Sequence, residues 1–200
     1  MTKRTRRVTN LRRDVTPFTS AETDEIANEI AKDSESTTLK QSIEFSPTAL
    51  THVRQVLTQG GLVFFDSHVL KDSIPYEVCE STKAEMKCYI DRNDIVALAE
   101  SMRITRAEIA ADAALNEKKP KLMVIGSAPA ALGRVLARRQ KEPLTDVCVL
   151  TAVGGYASTV ALKEKLREAG IAYIMVRGKL GSSALTAKLF SAVAEHVLQS

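Results

Sequence analysis

The sequence predicts an α/β protein, a three-layer doubly wound sandwich around a mainly parallel sheet of about five strands. Three observations predict it. The blocks 121–132, 147–156 and 172–184 each read as a short apolar run, a turn of glycine and small residues, and the start of a helix. Apolar runs of about five residues are too short for helices and fit strands covered on both faces. The glycine-marked junctions recur roughly every 25 to 30 residues, the length of a βα unit rather than of a solenoid repeat.

The elements follow in order. Residues 1–20 are read as a basic, flexible arm and residues 21–200 as one domain. Lys3, Arg4, Arg6, Arg7, Arg12 and Arg13 all precede the first acidic residue, Asp14, and they outnumber the whole net charge of +4, so the remainder is net acidic. No aromatic residue interleaves these cations and no nucleic-acid-binding fold follows. The arm therefore reads as a solvated tail, and nucleic acid is not an expected partner. Ser20 to Ala31 is a helix with Ser20 at its cap and Ile26 and Ile30 on one face. Asp33 to Gln41 is polar and reads as a loop. Ser46 and Pro47, as N-cap and first residue, open a second helix that buries Leu50, Val53, Val56 and Leu57 and ends at Gly60-Gly61.

Leu62 to Asp66 is the first sheet strand and runs into a loop at Asp66-Ser67-His68. Glu85 to Asp91 is a second, more mixed strand. Asn93 or Asp94 caps a helix bearing Ile95, Val96, Leu98 and Ala99, and Thr105 caps the next, with Arg106 in its first turn. The three glycine-turn blocks complete the fold. A basic surface stretch (Arg138, Arg139, Lys141) separates the first two, and the charged run Lys163 to Glu168 separates the last two.

Composition narrows the function. With 44% hydrophobic and 26% charged residues, 200 residues make an ordinary soluble domain. No apolar run approaches the ~18 residues of a membrane span, and the basic start lacks the apolar stretch of a signal peptide, so a cytoplasmic protein is expected. Cys79, Cys88 and Cys148 are odd in number and show no paired spacing, which argues against a disulfide framework or a metal site. Nucleotide motifs fail on spacing. Gly126 is followed only by Gly133, Gly154-Gly155 has no third glycine, and Lys179 is misplaced for a phosphate loop. In a parallel sheet the strand ends and helix N-termini still form a ligand crevice that favours anions.

Four segments, in order, resemble the precorrin-8X methylmutase family of cobalamin biosynthesis. Ile43-Glu-Phe-Ser-Pro-Thr-Ala-Leu50 is similar to the family's Phe-Ser-Pro-Gly-Ala segment, and Thr105-Arg106-Ala107 to its Thr-Arg-Ser/Ala helix start. Ile125-Gly-Ser-Ala-Pro-Ala-Ala-Leu132 resembles Gly-Asn-Ala-Pro-Thr-Ala-Leu. Val176 to Ala187 resembles Arg-Gly-Arg-Leu-Gly-Gly-Ser-Ala. Val153-Gly154 is a weaker fifth match.

The resemblance implies an isomerase that moves a methyl group from C11 to C12 of a precorrin-type tetrapyrrole bearing many carboxylates. Such a shift needs a shaped pocket, anion anchors and an acid, and no cofactor. It also implies a homodimer with pockets at the subunit interface. Arg106 would anchor a carboxylate through its planar guanidinium. Ser46, Asp66, Thr105, Gly126, Ser127, Gly154, Gly181, Ser182 and Ser183 would line the substrate site. The family's acid is a histidine thirteen residues before the phenylalanine of Phe-Ser-Pro, and here that position holds Lys32. His68 at the end of the first strand is the alternative acid, while His52 and His196 read as packing or surface residues. The family's Glu-Ser-Lys run is replaced by Val160-Ala161-Leu162. These departures keep open a second expectation, a relative that binds a tetrapyrrole without moving the methyl.

Overall fold

The computed structural model describes residues 19–32 and 37–199; most of the basic arm and part of the expected 33–41 loop lie outside these residues. Among the described residues, six strands form one sheet: β1 (Ile43–Phe45), β2 (Leu62–Phe65), β3 (Glu85–Lys87), β4 (Lys121–Ile125), β5 (Val147–Thr151) and β6 (Ala172–Val176). Their order is β1-β6-β5-β4-β2-β3. All pairings are parallel except β1 with β6, which is antiparallel.

Period-two alternation along the strands sorts the core onto two faces. Phe65, Val124, Leu150 and Ile174 meet α1 (Ser20–Ala31), α3 (Ala49–Thr58), α4 (His68–Asp72), α5 (Tyr76–Glu80) and α10 (Ser183–Gln199). Phe64, Met123, Val149 and Met175 meet α6 (Asn93–Met102), α7 (Arg106–Leu115), α8 (Pro129–Arg139) and α9 (Ala157–Glu168). That is the expected three-layer sandwich. Phe65 and Phe190 make an edge-to-face ring pair with centroids 5.5 Å apart. Such a pair adds about 0.5–1.5 kcal/mol beyond burial and fixes α10 against the end of β2.

The winding reverses between β2 and β4. The chain leaves β2 over one face to reach β3 and leaves β4 over the other to reach β5. Their carboxyl ends therefore flank a topological switch point, where sheets of this kind open a crevice.

Several elements differ from the sequence reading. Residues 37–42 form a short helix, α2 (Thr37–Ser42), and Ile43–Phe45 add a sixth, edge strand. Ser46 does not cap α3. Its N–H donates to the Tyr173 carbonyl at 2.8 Å, and its hydroxyl accepts from the Tyr173 N–H at 2.8 Å. Ser46 thus ties the end of β1 to β6 through one backbone and one side-chain bond, and α3 begins later with Thr48 at its cap. Thr19 rather than Ser20 caps α1, through a capping box with Glu22. β3 ends at Lys87 because its pairing with β2 stops at Phe64, which leaves Cys88 to Asp91 without a ladder partner. Lys163, the first residue of the charged run between the last two blocks, is fully buried.

Candidate functional site

The crevice is organised around Asp66, the first residue after β2. It is 1% exposed, and its Oδ2 accepts the backbone N–H groups of Gly126 at 3.1 Å, Ser127 at 2.8 Å and Ala128 at 2.7 Å. These are the amides of the turn after β4 that lead into α8, where a helix has orphan donors and a positive dipole end. The anion position expected there for a substrate is therefore taken by the chain's own carboxylate. Burial pushes the Asp66 carboxyl up, against the lowering effect of the Ala128, Ser127 and Gly126 amides. Its Oδ1 is buried and has no hydrogen-bond partner among the described residues.

A row of hydroxyls crosses the crevice above this tie. Ser67 Oγ lies 2.9 Å from Ser127 Oγ, and Ser127 Oγ lies 2.7 Å from Ser183 Oγ. The row joins the start of α4, the turn before α8 and the first residue of α10. Ser67 also caps α4 by accepting the Leu70 N–H at 3.3 Å. Ser182 does the same for α10 by accepting the Leu185 N–H at 3.0 Å.

Next to Ser67 stands His68, whose Nε2 is 3.2 Å from Asp91 Oδ2. The other oxygen of Asp91 accepts from Arg106 Nη1 at 3.1 Å. One carboxylate thus binds the expected acid and the expected anchor together, and both face solvent: the His68 side chain is 47% exposed and the Arg106 side chain 53%. Arg106 is held in place by the start of α7. There Thr105 and Glu108 form a capping box in which the Thr105 hydroxyl accepts the Glu108 N–H at 3.2 Å and the Glu108 carboxylate accepts the Thr105 N–H at 3.0 Å. Thr105 is thus engaged in capping.

The remaining glycines shape the crevice by close approach. A Cβ on Gly154 would sit 2.2 Å from the Gly181 carbonyl oxygen, and one on Gly181, at φ +153°, would sit 2.0 Å from the Ala152 carbonyl oxygen. Neither position has room for a side chain, so the turns after β5 and β6 abut backbone to backbone. A Cβ on Gly126 would sit 2.7 Å from the Thr186 side-chain hydroxyl of α10.

The structure thus brings together Asp66, His68, Arg106, Gly126, Ser127 and Ser183, and it packs Gly154 on Gly181. Ser46 lies elsewhere, at the amino end of β6 beside Tyr173. Lys32 follows α1, a helix that packs on α2 and α10. Its side chain is 66% exposed and pairs with Glu29. Sequence reasoning missed two members, Asp91 and Ser67. Asp91 closes the segment read as a second strand, and the strand-end position that singled out His68 would have found it. A groove of about 590 Å³ lies apart from the crevice, between α6 and α7. Its lining holds two acids, Asp94 and Asp112, and no Lys, Arg or His, so it offers no anchor to a polycarboxylate.

Residues 5–196 match the sequence profile of the precorrin-8X methylmutase family. A cobalt-precorrin-8 methylmutase of Salmonella typhimurium is 29% identical over 157 residues, spanning 76% of this chain and 71% of that protein. A precorrin-8X methylmutase of Pseudomonas aeruginosa is 26% identical over 154 residues, spanning 76% and 74%. Among solved structures, the precorrin-8X methyl mutase of Thermus thermophilus superposes with a TM-score of 0.78 over 92% of this chain and 91% of its own, at 18% identity. A precorrin-8X methylmutase related protein gives a TM-score of 0.75 over 87% and 90%, at 21% identity. At such identities the two superpositions speak to the fold.

Proposed function

This chain belongs to the precorrin-8X methylmutase family, and from that premise we propose that it is an isomerase of cobalamin biosynthesis. It moves a methyl group from C11 to C12 of a precorrin-8 ring to give a corrin. The methyl leaves and lands on the same molecule, so the protein's tasks are to bind and orient the ring and to hold a proton where it is needed. The observation that supports this reading is the group His68–Asp91–Arg106 beside the hydroxyl row at the switch point. An imidazole can both donate and accept a proton, and Asp91 orients that of His68. The guanidinium gives Asp91 one of its five N–H donors by this contact, and the fork has others to offer a ring carboxylate. Ser67, Ser127 and Ser183 supply hydroxyls that donate or accept as the ring requires. In this reading His68, not Lys32, delivers the proton.

The same proposal takes the protein as a cytoplasmic homodimer with a basic arm ahead of one domain. Light scattering tests the assembly.

The activity test is conversion of precorrin-8, or its cobalt form, followed by the change in absorption as the corrin forms. His68→Ala lowers turnover about 100-fold or more, the scale of a lost general acid, while Lys32→Ala leaves it near wild type. A reversed pattern moves the acid to Lys32. Corrin binding without turnover by the wild-type protein leaves a tetrapyrrole binder, and no corrin binding at all sinks the reading.

A further inference from the structure

One buried ionisable group has no part in the chemistry above. Lys163 lies in the middle of α9, with a side chain fully removed from solvent. Its Nζ donates to two backbone carbonyls of the loop after β6, Gly178 O at 3.0 Å and Leu180 O at 3.0 Å. Among the described residues no carboxylate is within ion-pair distance of it. The charged groups on its own helix are Glu164, Lys165, Arg167 and Glu168. Arg134, Arg138 and Arg139 lie on α8, and Arg177 and Lys179 lie beyond β6. The nearby acids are engaged, since Glu164 pairs with Arg167, and Glu44 pairs with Arg167 and Arg177. Burial alone pulls the Lys163 ammonium down to about 8.

That loop is built around two glycines at positive φ, Gly178 at +70° and Gly181 at +153°, so its backbone has little intrinsic preference for this shape. It is clamped from two sides. Lys163 holds its carbonyls from within the helical layer. The turn after β5 holds the other side, through Gly155 N–H donating to the Lys179 carbonyl at 3.3 Å and through the Gly154–Gly181 contact. Immediately beyond stand Ser182, which caps α10, and Ser183, the end of the hydroxyl row.

We propose that Lys163 is a positioning residue for ligand binding. Its ammonium fixes the 178–181 loop and with it the Ser182 and Ser183 hydroxyls, and it places an uncompensated positive charge beneath the part of the crevice that receives a carboxylate-bearing ligand. The ligand half rests on the methylmutase reading; the loop half does not. A neutral amine keeps two N–H donors, so deprotonation removes the charge while the loop stays held. Ligand binding and protonation of Lys163 are therefore linked, and affinity falls as pH rises through the value at which the amine loses its proton.

The test uses the full chain and Lys163→Met, which keeps the length of the apolar stem and deletes the amine. Amide hydrogen exchange across residues 177–184 without ligand accelerates at least ~10-fold in K163M, while β4 and β5 exchange as in wild type. Wild-type affinity for the corrin product weakens about 10-fold between pH 7 and 9. K163M binds at least ~10-fold more weakly at pH 7 and is flat across that range. Unchanged loop exchange overturns the proposal, and so does a pH profile that the variant shares with wild type. If K163M does not fold, the wild-type profile decides, and a flat one overturns the proposal. If the wild-type protein binds no corrin, the methylmutase reading fails, and Lys163 is judged on loop exchange alone.

Discussion

Asp66→Ala is the perturbation whose cost follows most directly from the structure. It leaves the N–H groups of Gly126, Ser127 and Ala128 without their acceptor. An orphaned buried donor costs about 1–3 kcal/mol, but Ser127 is exposed and Ala128 half-buried, so water reaches two of the three and the total is about 3–5 kcal/mol. For a chain of this size that lowers Tm by on the order of 10 °C. Asp66→Asn keeps one oxygen facing the three amides and costs about 1 kcal/mol. The two variants also separate by pH. Because burial raises the folded carboxyl above its ordinary 3.8, the folded state binds the proton more tightly than the unfolded one. This residue's contribution to stability therefore falls as pH rises from 3.8 through the folded value. Asn cannot ionise, so its deficit relative to wild type shrinks between pH 4 and pH 7. Urea unfolding followed by far-ultraviolet circular dichroism at the two pH values measures both effects. Equal costs for Ala and Asn, or a cost for Ala under about 1 kcal/mol, would refute the reasoning.

Two further substitutions test how the crevice is held. Gly181→Ala places a Cβ 2.0 Å from the Ala152 carbonyl oxygen. The turns after β5 and β6 must then separate, with a loss of more than ~2 kcal/mol in the same urea assay; a cost under half that would mean the turns give way easily. Thr105→Ala removes one arm of the capping box at the start of α7 and costs about 1 kcal/mol. If it also weakens corrin binding in a spectral titration, the cap is what holds Arg106 in position.

The sandwich was readable because β4, β5 and β6, covered on both faces, are written as apolar runs that end at glycine turns, and β2 as a fully apolar run. β1 was not, because its three residues are all half-buried and Glu44 interrupts them. The strand-end rule picked out Asp66 and His68, but it could not show which carboxylate joins His68 to Arg106; that depends on Asp91 curling away from the sheet after β3 loses its partner. It also could not show that the amides before α8 are already taken, since the occupant lies 60 residues earlier in the chain. Lys163 was hidden for a similar reason. A buried ammonium needs acceptors, and its carbonyls come from a loop 15 and 17 residues further on. Ser46 sits in a segment that resembles the family's, yet its N–H and its hydroxyl are both spent on the Tyr173 backbone at the sheet edge.

The contact between Gly154 and Gly181 bears on how the crevice moves. Two backbones that meet with no side chain between them have no rotamer to change, and Lys163 clamps the same loop from the other side. The carboxyl ends of β5 and β6 therefore form a fixed anvil with no hinge of their own. Any widening or closing of the crevice around a large planar ligand has to come from the opposite wall, where His68 rides on the five-residue helix α4 and Arg106 on the first turn of α7.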